Sequence, residues 1–349
     1  MAWSNAPLTR GEVESLTNVW RARGLVPVLI AVASAFAAWA LLLPVVPTAV
    51  IDADQPASLA GLSTGVFMLA TVITQVFVPK ALKTVGYRWV IAVSSLLLGI
   101  PALGYMIGME PAPLLTVSAI RGVGFGALSV AEAAIVAELV PLRLLGSATG
   151  IFGVVVGLAQ MVALPSGLAL VDVVGYNAVY IIATAIGAVS LAACFAIPTI
   201  PTPEPDAETA QSVRVPMWHL ALVPALALMF VTTAYGAITN FLPVSMRELD
   251  PVSGAALAGV MLGALNFAAM ISRYVAGRIM DRRGYPGTVL IPFQITAAIG
   301  VALMAVILFM QLPAWTMLIA ALFYGAGFGG VQNEALTLLF YRLPRHKTS

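Results

Sequence analysis

Two charged residues of opposite sign, Arg121 and Glu132, stand in one long apolar segment of this chain. A guanidinium can bind an anion, and a carboxyl group can carry a proton. Eleven helical steps of about 100° return to within about 20° of the starting direction, so the two side chains share a helix face. They lie roughly 16 Å apart along the axis, too far for a direct ion pair. Each therefore needs its own partner or water, which predicts a wet cavity with solute-binding or proton-coupling groups.

Simpler interpretations of these charges remain open. Arg121 could make a structural interhelical contact, and Glu132 could extend to the inner membrane surface. Arg273, five residues before Arg278, is expected to extend its guanidinium to the same surface. A cluster of four charges, Arg278, Asp281, Arg282 and Arg283, lies within AGRIMDRRGYP (276–286). Basic residues concentrate in cytoplasmic loops, so this cluster predicts a tight inside turn that anchors the topology.

The elements that position these charges are predicted to be membrane-spanning helices. The chain has 349 residues, of which 60% are hydrophobic and 9% charged, and this is more apolar surface than one soluble core can bury. Ten apolar runs are long enough to cross a bilayer. They lie near 25–50, 59–79, 89–108, 113–137, 147–169, 177–198, 218–243, 254–277, 287–310 and 314–338.

The polar segments define the predicted domains and orientation. These are an N-terminal tail (1–24), a first group of six spans (25–198), a linker (199–217) and spans 7–10 (218–349). If the tail is cytoplasmic, fourteen Lys and Arg residues fall inside and one, Arg247, falls outside. This bias predicts a multi-pass protein of the plasma (inner) membrane with both termini in the cytoplasm. The tail has no apolar h-region, so the first span is expected to act as the insertion signal.

Several function classes are disfavoured. A net charge of +2 with dispersed basic residues does not suggest a nucleic-acid partner. Cys194 is the only cysteine, so a disulfide framework or thiolate metal site is not available. We find no metal-ligand cluster, nucleophile elbow or phosphate-binding glycine loop. We therefore expect neither an enzyme nor a metal or cofactor.

The chain also matches itself at nearly constant offsets. A shift of 198 places Gly284-Tyr285 on Gly86-Tyr87, and a shift of 199 places AYGAITNFLP (234–243) on AFAAWALLLP (35–44). A shift of 203 places GAGFGG (325–330) on GVGFGA (122–127). Such repeated matches indicate an internal duplication with parallel halves.

These features resemble the major facilitator superfamily (MFS). GRIMDRRG (277–284) is similar to its loop signature G-x-L/I-x-D-R-x-G, and IRGVGFG (120–126) to its Arg-and-glycine motif. GVVVGLAQMVALPSG (153–167) matches its antiporter Gly/Pro motif only loosely. The resemblance implies an all-α helical bundle of two six-helix repeats, the second incomplete because the family has twelve spans. In the first-half turn, Lys83 takes the place of the signature's acid.

The resemblance also implies alternating access around a central cavity. Asp281 would accept hydrogen bonds from nearby arginines or from a span-5 helix N-terminus and so latch one conformation. Spans 1, 4, 7 and 10 would line the cavity, with an aromatic wall facing a hydroxyl wall. The implied cavity candidates are Arg121, Glu132, Phe36, Trp39, Tyr235, Thr239, Asn240, Tyr324, Gln332 and Asn333. The implied gating motif comprises Gly277, Arg278, Asp281, Arg282, Gly284, Lys83 and Gly86.

Three functions follow as alternatives. The leading expectation is a secondary transporter that exports small amphipathic organic compounds by proton antiport. The second is an importer or uniporter of a small organic anion, and the third a non-transporting truncated form. For the third we expect a complete protein of roughly 400 residues. Spans 8 and 10 would then expose small-residue faces and Glu334, although Glu334 could instead pair with Arg278 or Arg282.

Overall fold

A computed structural model describes residues 7–200, 217–250 and 253–342, and in those ranges the regular elements are all helical. This agrees with the predicted all-α class. The α-helices are α1 (Arg10–Glu14), α2 (Leu25–Asp52), α3 (Ala57–Val85), α4 (Tyr87–Gly99), α5 (Pro111–Glu138), α6 (Leu145–Cys194), α7 (Met217–Leu249), α8 (Gly254–Arg283), α9 (Leu290–Phe309) and α10 (Met317–Arg342). A 3₁₀ segment, Ile100–Met106, continues α4.

The apolar spans agree closely with the ten predicted runs. Within the described residues, nine helical segments are long and apolar enough to cross a membrane. One of them, Leu142–Cys194, is 53 residues long and contains the predicted spans 5 and 6. Its helix breaks at Gly175, where φ is 78° and ψ is 167°. This conformation favours glycine and separates the long segment into two spans.

The charged turns differ from the prediction in one respect. Arg278, Asp281 and Arg282 do not lie in a loop, because α8 continues through them to Arg283. Gly284 ends the helix with φ of 71°, a left-handed C-terminal conformation that suits a residue without a Cβ. In the first half, α3 likewise continues past Lys83 and ends at Gly86, where φ is 84°. Both signature segments therefore form final helical turns, each closed by a glycine.

Contacts divide the described chain into two compact units. The first contains α1–α5 and α6 from Leu158 onwards. The second contains α7–α10 together with the segment 142–157 at the start of α6. Most of the predicted linker, residues 201–216, lies outside the described ranges.

The two units repeat one packing scheme, as the sequence offsets predict. A Cβ on Gly122 of α5 would collide with the backbone of Phe67, and one on Gly325 of α10 would collide with the backbone of Leu265, which is Phe67 shifted by 198. Two further pairs of contacts correspond, with partner offsets of 199 and 198: Gly124–Leu98 with Gly327–Ala297, and Gly126–Thr71 with Gly329–Ala269. Close backbone approach thus fixes the glycines of both motifs.

The N-terminal tail is folded where it is described. Thr9 and Glu12 form a capping box at the start of α1, and the Leu8 amide donates to the Thr199 carbonyl at 3.0 Å. The hydrogen bonds from Thr9 lower the pKa of the Glu12 carboxyl. Arg23 lies 3.6 Å from the same carboxylate. These contacts attach the tail to the first unit.

Candidate solute and coupling sites

Arg121 of α5 is a buried cation, with only 3% of its surface exposed. Its Nε donates to the Leu98 carbonyl at 3.1 Å, and its terminal nitrogens lie 3.5 Å from the Ala38 carbonyl and the Tyr105 hydroxyl. The guanidinium also lies 5.5 Å from the Tyr105 ring centroid. No ion pair among the described residues involves Arg121. Neutral oxygens and an aromatic ring are therefore its partners, and its charge is not balanced by a carboxylate.

Arg121 lines a small cavity in the first unit. The cavity volume is about 30 Å³, measured as the space open to the centre of a water-sized sphere, which is room for about two waters. The wall combines aromatic, hydroxyl and aliphatic side chains: Trp39, Phe67, Tyr105, Ser63, Thr64, Ser118, Leu42, Leu43, Val46 and Pro47. A cavity therefore adjoins Arg121, but in this conformation it is too small for an organic solute, and its hydration remains a prediction.

An aromatic cluster stands beside this cavity. Trp39 stacks on Phe125 with ring centroids 4.6 Å apart, and Phe36 meets Phe125 edge-on at 5.5 Å. Phe67 completes the group at 5.8 Å from Phe125. The Trp39 Nε1–H is buried and has no hydrogen-bond acceptor. The site therefore offers a flat apolar wall with one unused donor.

Glu132 is on the predicted face but not in the cavity. The residue is 0% exposed, and neither carboxylate oxygen has a hydrogen-bond partner. It does not extend to a surface, so the alternative of an inner-surface position is wrong. The structure thus places Arg121 on the wall of a cavity and Glu132 in a closely packed environment.

Tyr235 of α7 belongs to a second aromatic cluster, together with Tyr324 and Phe328 of α10. Tyr235 stacks on Phe328 at 4.6 Å, and its hydroxyl donates to Asn266 Oδ1 at 3.2 Å. Tyr324 is fully buried and donates to the Val231 carbonyl at 2.5 Å. The Thr239 hydroxyl donates to the Tyr235 carbonyl within its own helix.

The side chain of Asn240 lies outside the described part of the structure. An aromatic wall facing a hydroxyl wall across one cavity remains a prediction. Thr239 uses its hydroxyl inside α7, so it is not available as a donor to a solute in this conformation.

Arg273 does not extend to the surface, so the expectation from sequence is wrong. Its guanidinium donates to the Gly153 carbonyl at 2.8 Å and to Gln332 Oε1, and lies 5.9 Å from the Phe328 ring. A Cβ on Gly157 would lie 3.1 Å from Nη1. The two glycines of α6 therefore leave the space that Arg273 occupies.

Asp281 binds the start of α6, which is one of the two arrangements the family resemblance implies. Its Oδ1 accepts from the Gly146 amide and its Oδ2 from the Ser147 amide, both at 2.9 Å. The first amides of a helix have no intrahelical acceptor and attract anions, so this is a favourable position for a carboxylate. Asn333 of α10 lies at the same place, with its Nδ2 3.4 Å from the Gly146 carbonyl.

The remaining motif residues have local roles. Arg278 donates to the Tyr274 hydroxyl at 2.7 Å, while Arg282 and Lys83 are exposed. A Cβ on Gly277 would meet the backbone of Gly146, so α6 and α8 approach closely there. The charge that contacts another helix in this motif is therefore that of Asp281.

Glu334 is buried, whereas the truncated form was expected to expose it. It is 0% exposed and accepts from the Gly287 amide at 2.5 Å, rather than pairing with Arg278 or Arg282. The glycines of α10 are also in contact with neighbours: Gly325 and Gly329 meet α8, while Gly327 and Gly330 meet α9. These small residues are packed inside the second unit.

Four residues that complete these clusters were not identified from sequence: Phe67, Tyr105, Asn266 and Phe328. The repeat offset contains a signal for one of them, since Phe328 is Phe125 shifted by 203 and Tyr235 is Phe36 shifted by 199.

The described ranges contain no group of three His, Cys, Asp or Glu side chains placed to bind a metal ion.

Comparisons with known proteins agree with this architecture. A family model, "Major Facilitator Superfamily", matches residues 28–349. A search of curated protein sequences finds no match. The fold is similar to that of the proton:xylose symporter XylE bound to 6-bromo-6-deoxy-D-glucose, with a TM-score of 0.74 and 13% identity over 93% of this chain and 83% of that one. It is also similar to the human organic anion transporter MFSD10 (TETRAN), with a TM-score of 0.61 and 14% identity over 93% and 91% of the two chains.

These relatives are membrane transporters and not enzymes. Because the family model covers nearly the whole sequence, the chain belongs to the major facilitator superfamily and is a multi-pass membrane protein of the secondary-transporter class.

Proposed function

We propose that this protein is a proton-coupled transporter that moves small amphipathic organic anions across the membrane by alternating access. The observation that carries the proposal is Arg121, a buried cation without a carboxylate partner on the wall of a cavity. A charge inside a membrane protein is costly and marks a solute or ion pathway. An anionic solute would balance this charge, which the protein itself leaves unbalanced.

The cavity wall supports the rest of the substrate description. Trp39 and Phe67 provide apolar ring surface, and Trp39 retains a donor without an acceptor. Several wall hydroxyls already have protein partners, since Ser63 donates to the Ala60 carbonyl and Tyr105 shares a hydrogen bond with Ser118, whereas a sugar requires many free hydrogen-bond partners. A flat organic body with one acidic group fits this composition. Of the two fold relatives, one is a proton:xylose symporter and the other an organic anion transporter, so proton coupling and anion transport both occur on this fold.

Export is the direction we propose, because residues 153–167 loosely resemble the antiporter Gly/Pro motif and this segment begins at the glycine that Arg273 contacts. Entry from the opposite side, as an importer or uniporter, is the competing direction. Uptake into proteoliposomes of known orientation, with a pH gradient of either sign, would separate the two. Accumulation that is the same with either sign of the pH gradient would contradict proton coupling.

The test of the substrate class is flux of labelled benzoate into proteoliposomes that contain the full chain. Removal of the charge in Arg121→Gln should reduce benzoate flux about 10- to 100-fold. This assumes a charge-assisted contact of about 1.5–3 kcal/mol, at 1.4 kcal/mol per factor of ten. Arg121→Lys should retain part of the flux, because an ammonium keeps the charge but lacks the planar donor fork.

The matched control is Arg21→Gln, which removes an exposed arginine far from the cavity. Benzyl alcohol serves as a neutral probe of the same shape, and tetraphenylphosphonium as an organic cation. Equal benzoate flux in wild type and Arg121→Gln would contradict the anion proposal. Flux of the cation alone would favour export of cationic amphipathic compounds, and absence of any flux would favour a non-transporting chain.

A further inference from the structure

Glu132 is a fully buried acid that has no partner. It is 0% exposed, and both carboxylate oxygens lack a hydrogen-bond donor. Its neighbours along α5, Ala131 and Ile135, are also fully buried, and the Arg121 cavity does not reach it. Other membrane acids of this chain differ, because Asp281 and Glu334 each accept from backbone amides. Glu132 is thus an isolated polar group in an apolar environment.

The charges on the elements packed against α5 do not neutralise it. Those elements are α2, α3, α4 and the 3₁₀ segment after α4. Their titratable or charged residues are Asp52, Lys80, Lys83, Tyr87, Arg88 and Tyr105, and α5 itself adds Arg121 and Glu138. None forms an ion pair with Glu132. Lys80 and Lys83 are exposed, and the Arg88 guanidinium lies over the Phe195 ring at 5.3 Å.

An ionised carboxylate in this position would lose its hydration without receiving a counter-charge or a hydrogen bond. Such a loss is large, and buried groups of this kind take up a proton instead. The neutral carboxylic acid still lacks an acceptor, but it avoids the cost of a buried charge. In the conformation described here Glu132 is therefore expected in its protonated form.

We propose that Glu132 is the binding site of the coupling proton. In this conformation it holds the proton in an O–H bond, and a rearrangement that brings water to α5 breaks that bond and transfers the proton to water. The other conformation takes a proton from the opposite side. Protonation is the only chemistry, so no electrons or other groups are transferred. The coupling role rests on the proposed transport function, whereas proton binding by itself does not.

The first experiment detects the proton directly and needs no solute. The infrared C=O stretch of protonated carboxylic acids is recorded at neutral pH on the full chain in lipid bilayers. Wild type should show a protonated-acid band that is absent from Glu132→Gln, whose amide imitates the neutral acid. The matched control is Glu110→Gln, which removes an exposed acid from the start of the same helix and should leave the band unchanged.

A band that persists in Glu132→Gln, or its absence from wild type, would overturn the proposal. If Glu132→Gln fails to assemble, Glu132→Leu provides the same comparison, because an apolar side chain of similar volume tolerates this environment. Partial deuteration supports the assignment, since the band of a dry site should shift only slowly after transfer to D₂O.

The second experiment tests coupling with labelled benzoate in proteoliposomes. Neutral benzoic acid crosses lipid unaided, so the reference is protein-free vesicles under the same pH gradient. In wild type the gradient should drive benzoate accumulation above that reference, and in Glu132→Gln this excess should be lost. Accumulation in Glu132→Gln equal to wild type would refute the coupling role. If wild type carries no benzoate while the infrared band is lost as expected, the proposed transport function fails and the proton site stands.

Discussion

Asp281→Asn should release the start of α6 from the end of α8. The carboxylate accepts two backbone hydrogen bonds of 2.9 Å, one on each oxygen, from Gly146 and Ser147. An asparagine has a single acceptor oxygen, and its NH₂ group would point at the second amide. The substitution therefore removes one charge-assisted bond and weakens the attraction of the other to the positive helix end.

The magnitude follows from these two contacts. A hydrogen bond to a charged group is worth about 1.5–3 kcal/mol, and Asp281 is only partly buried, so we expect a value near 1.5–2 kcal/mol. If the contact exists in only one conformation, the full difference shifts the equilibrium. The population of the conformation without the contact should then rise about 10- to 30-fold, at 1.4 kcal/mol per factor of ten.

Cysteine accessibility measures this shift. Cys194 is the only cysteine, so Cys194→Ala provides a clean background. Ala148→Cys reports from α6 and Ala335→Cys from α10, since both alanines are 0% exposed in this conformation. When opening is fast compared with labelling, the labelling rate is proportional to the open population. Both reporters should therefore label about 10- to 30-fold faster in Asp281→Asn.

The control for this measurement is Arg282→Gln, which removes a charge from the same helical turn at an exposed position. It should leave both labelling rates within about twofold of wild type, because surface charges contribute little. If Asp281→Asn also stays within that range, the carboxylate does not select a conformation. Its role would then be limited to topology and local stability.

Two further predictions concern groups adjacent to the sites. Gly153→Ala should lower stability by about 1–3 kcal/mol relative to Gly65→Ala in chemical denaturation. Its Cβ would lie 2.8 Å from the Arg273 Cδ, whereas a Cβ at Gly65 meets open space. Loss of stability equal in both variants would refute the steric argument. Trp39→Phe should keep the stack on Phe125 but weaken benzoate binding about 2- to 10-fold, since a neutral hydrogen bond is worth about 0.5–1.5 kcal/mol. Unchanged affinity would mean that the indole N–H does not bind the solute.

The helices could be predicted from the sequence because a lipid environment leaves few alternatives. Backbone groups without water must bond within a helix, so hydropathy alone locates the spans. α2 begins at Leu25, as predicted, and α5 differs from its predicted run by only a few residues. The junction of spans 5 and 6 was predicted between residues 169 and 177, and the observed break lies in that interval. Gly175 is the residue at which the structure divides them.

The partners of individual polar groups could not be predicted in the same way. Helix periodicity placed Arg121 and Glu132 on one face, but it could not show that one contacts a cavity and the other does not. Arg273 was expected to extend toward the surface because its long side chain permits this. Its position is instead determined by Gly153 and Gly157, which are distant in sequence. Neither glycine has a side chain, and this leaves room for the Arg273 guanidinium. Partner selection of this kind depends on tertiary packing.

The internal duplication distinguishes the packing contacts that both units share from the charged residues that occur in one unit alone. The aromatic pair Phe36–Phe125 of the first unit has a counterpart in Tyr235–Phe328 of the second, at offsets of 199 and 203. Both units also use the same close glycine contacts. The helix contacts therefore repeat in both units. In lipid, helices associate through close packing at small residues, and this requirement is the same in each unit.

The arginines that donate to helix carbonyls inside each unit do not repeat. The position equivalent to Arg121 is Tyr324, and the position equivalent to Arg273 is Gln75, so each unit has its cation where the other has a neutral residue. Both arginines donate to carbonyls of neighbouring helices, and Arg121 also lines the cavity of the first unit. These two arginines are therefore one respect in which the halves differ within a shared packing scheme. If, as proposed, the Arg121 cavity binds the solute and the contacts of α8 with α6 select the conformation, two exchanges should have separate effects. Exchanging Arg121 with Tyr324 should lower benzoate flux, and exchanging Arg273 with Gln75 should change the cysteine-labelling rates.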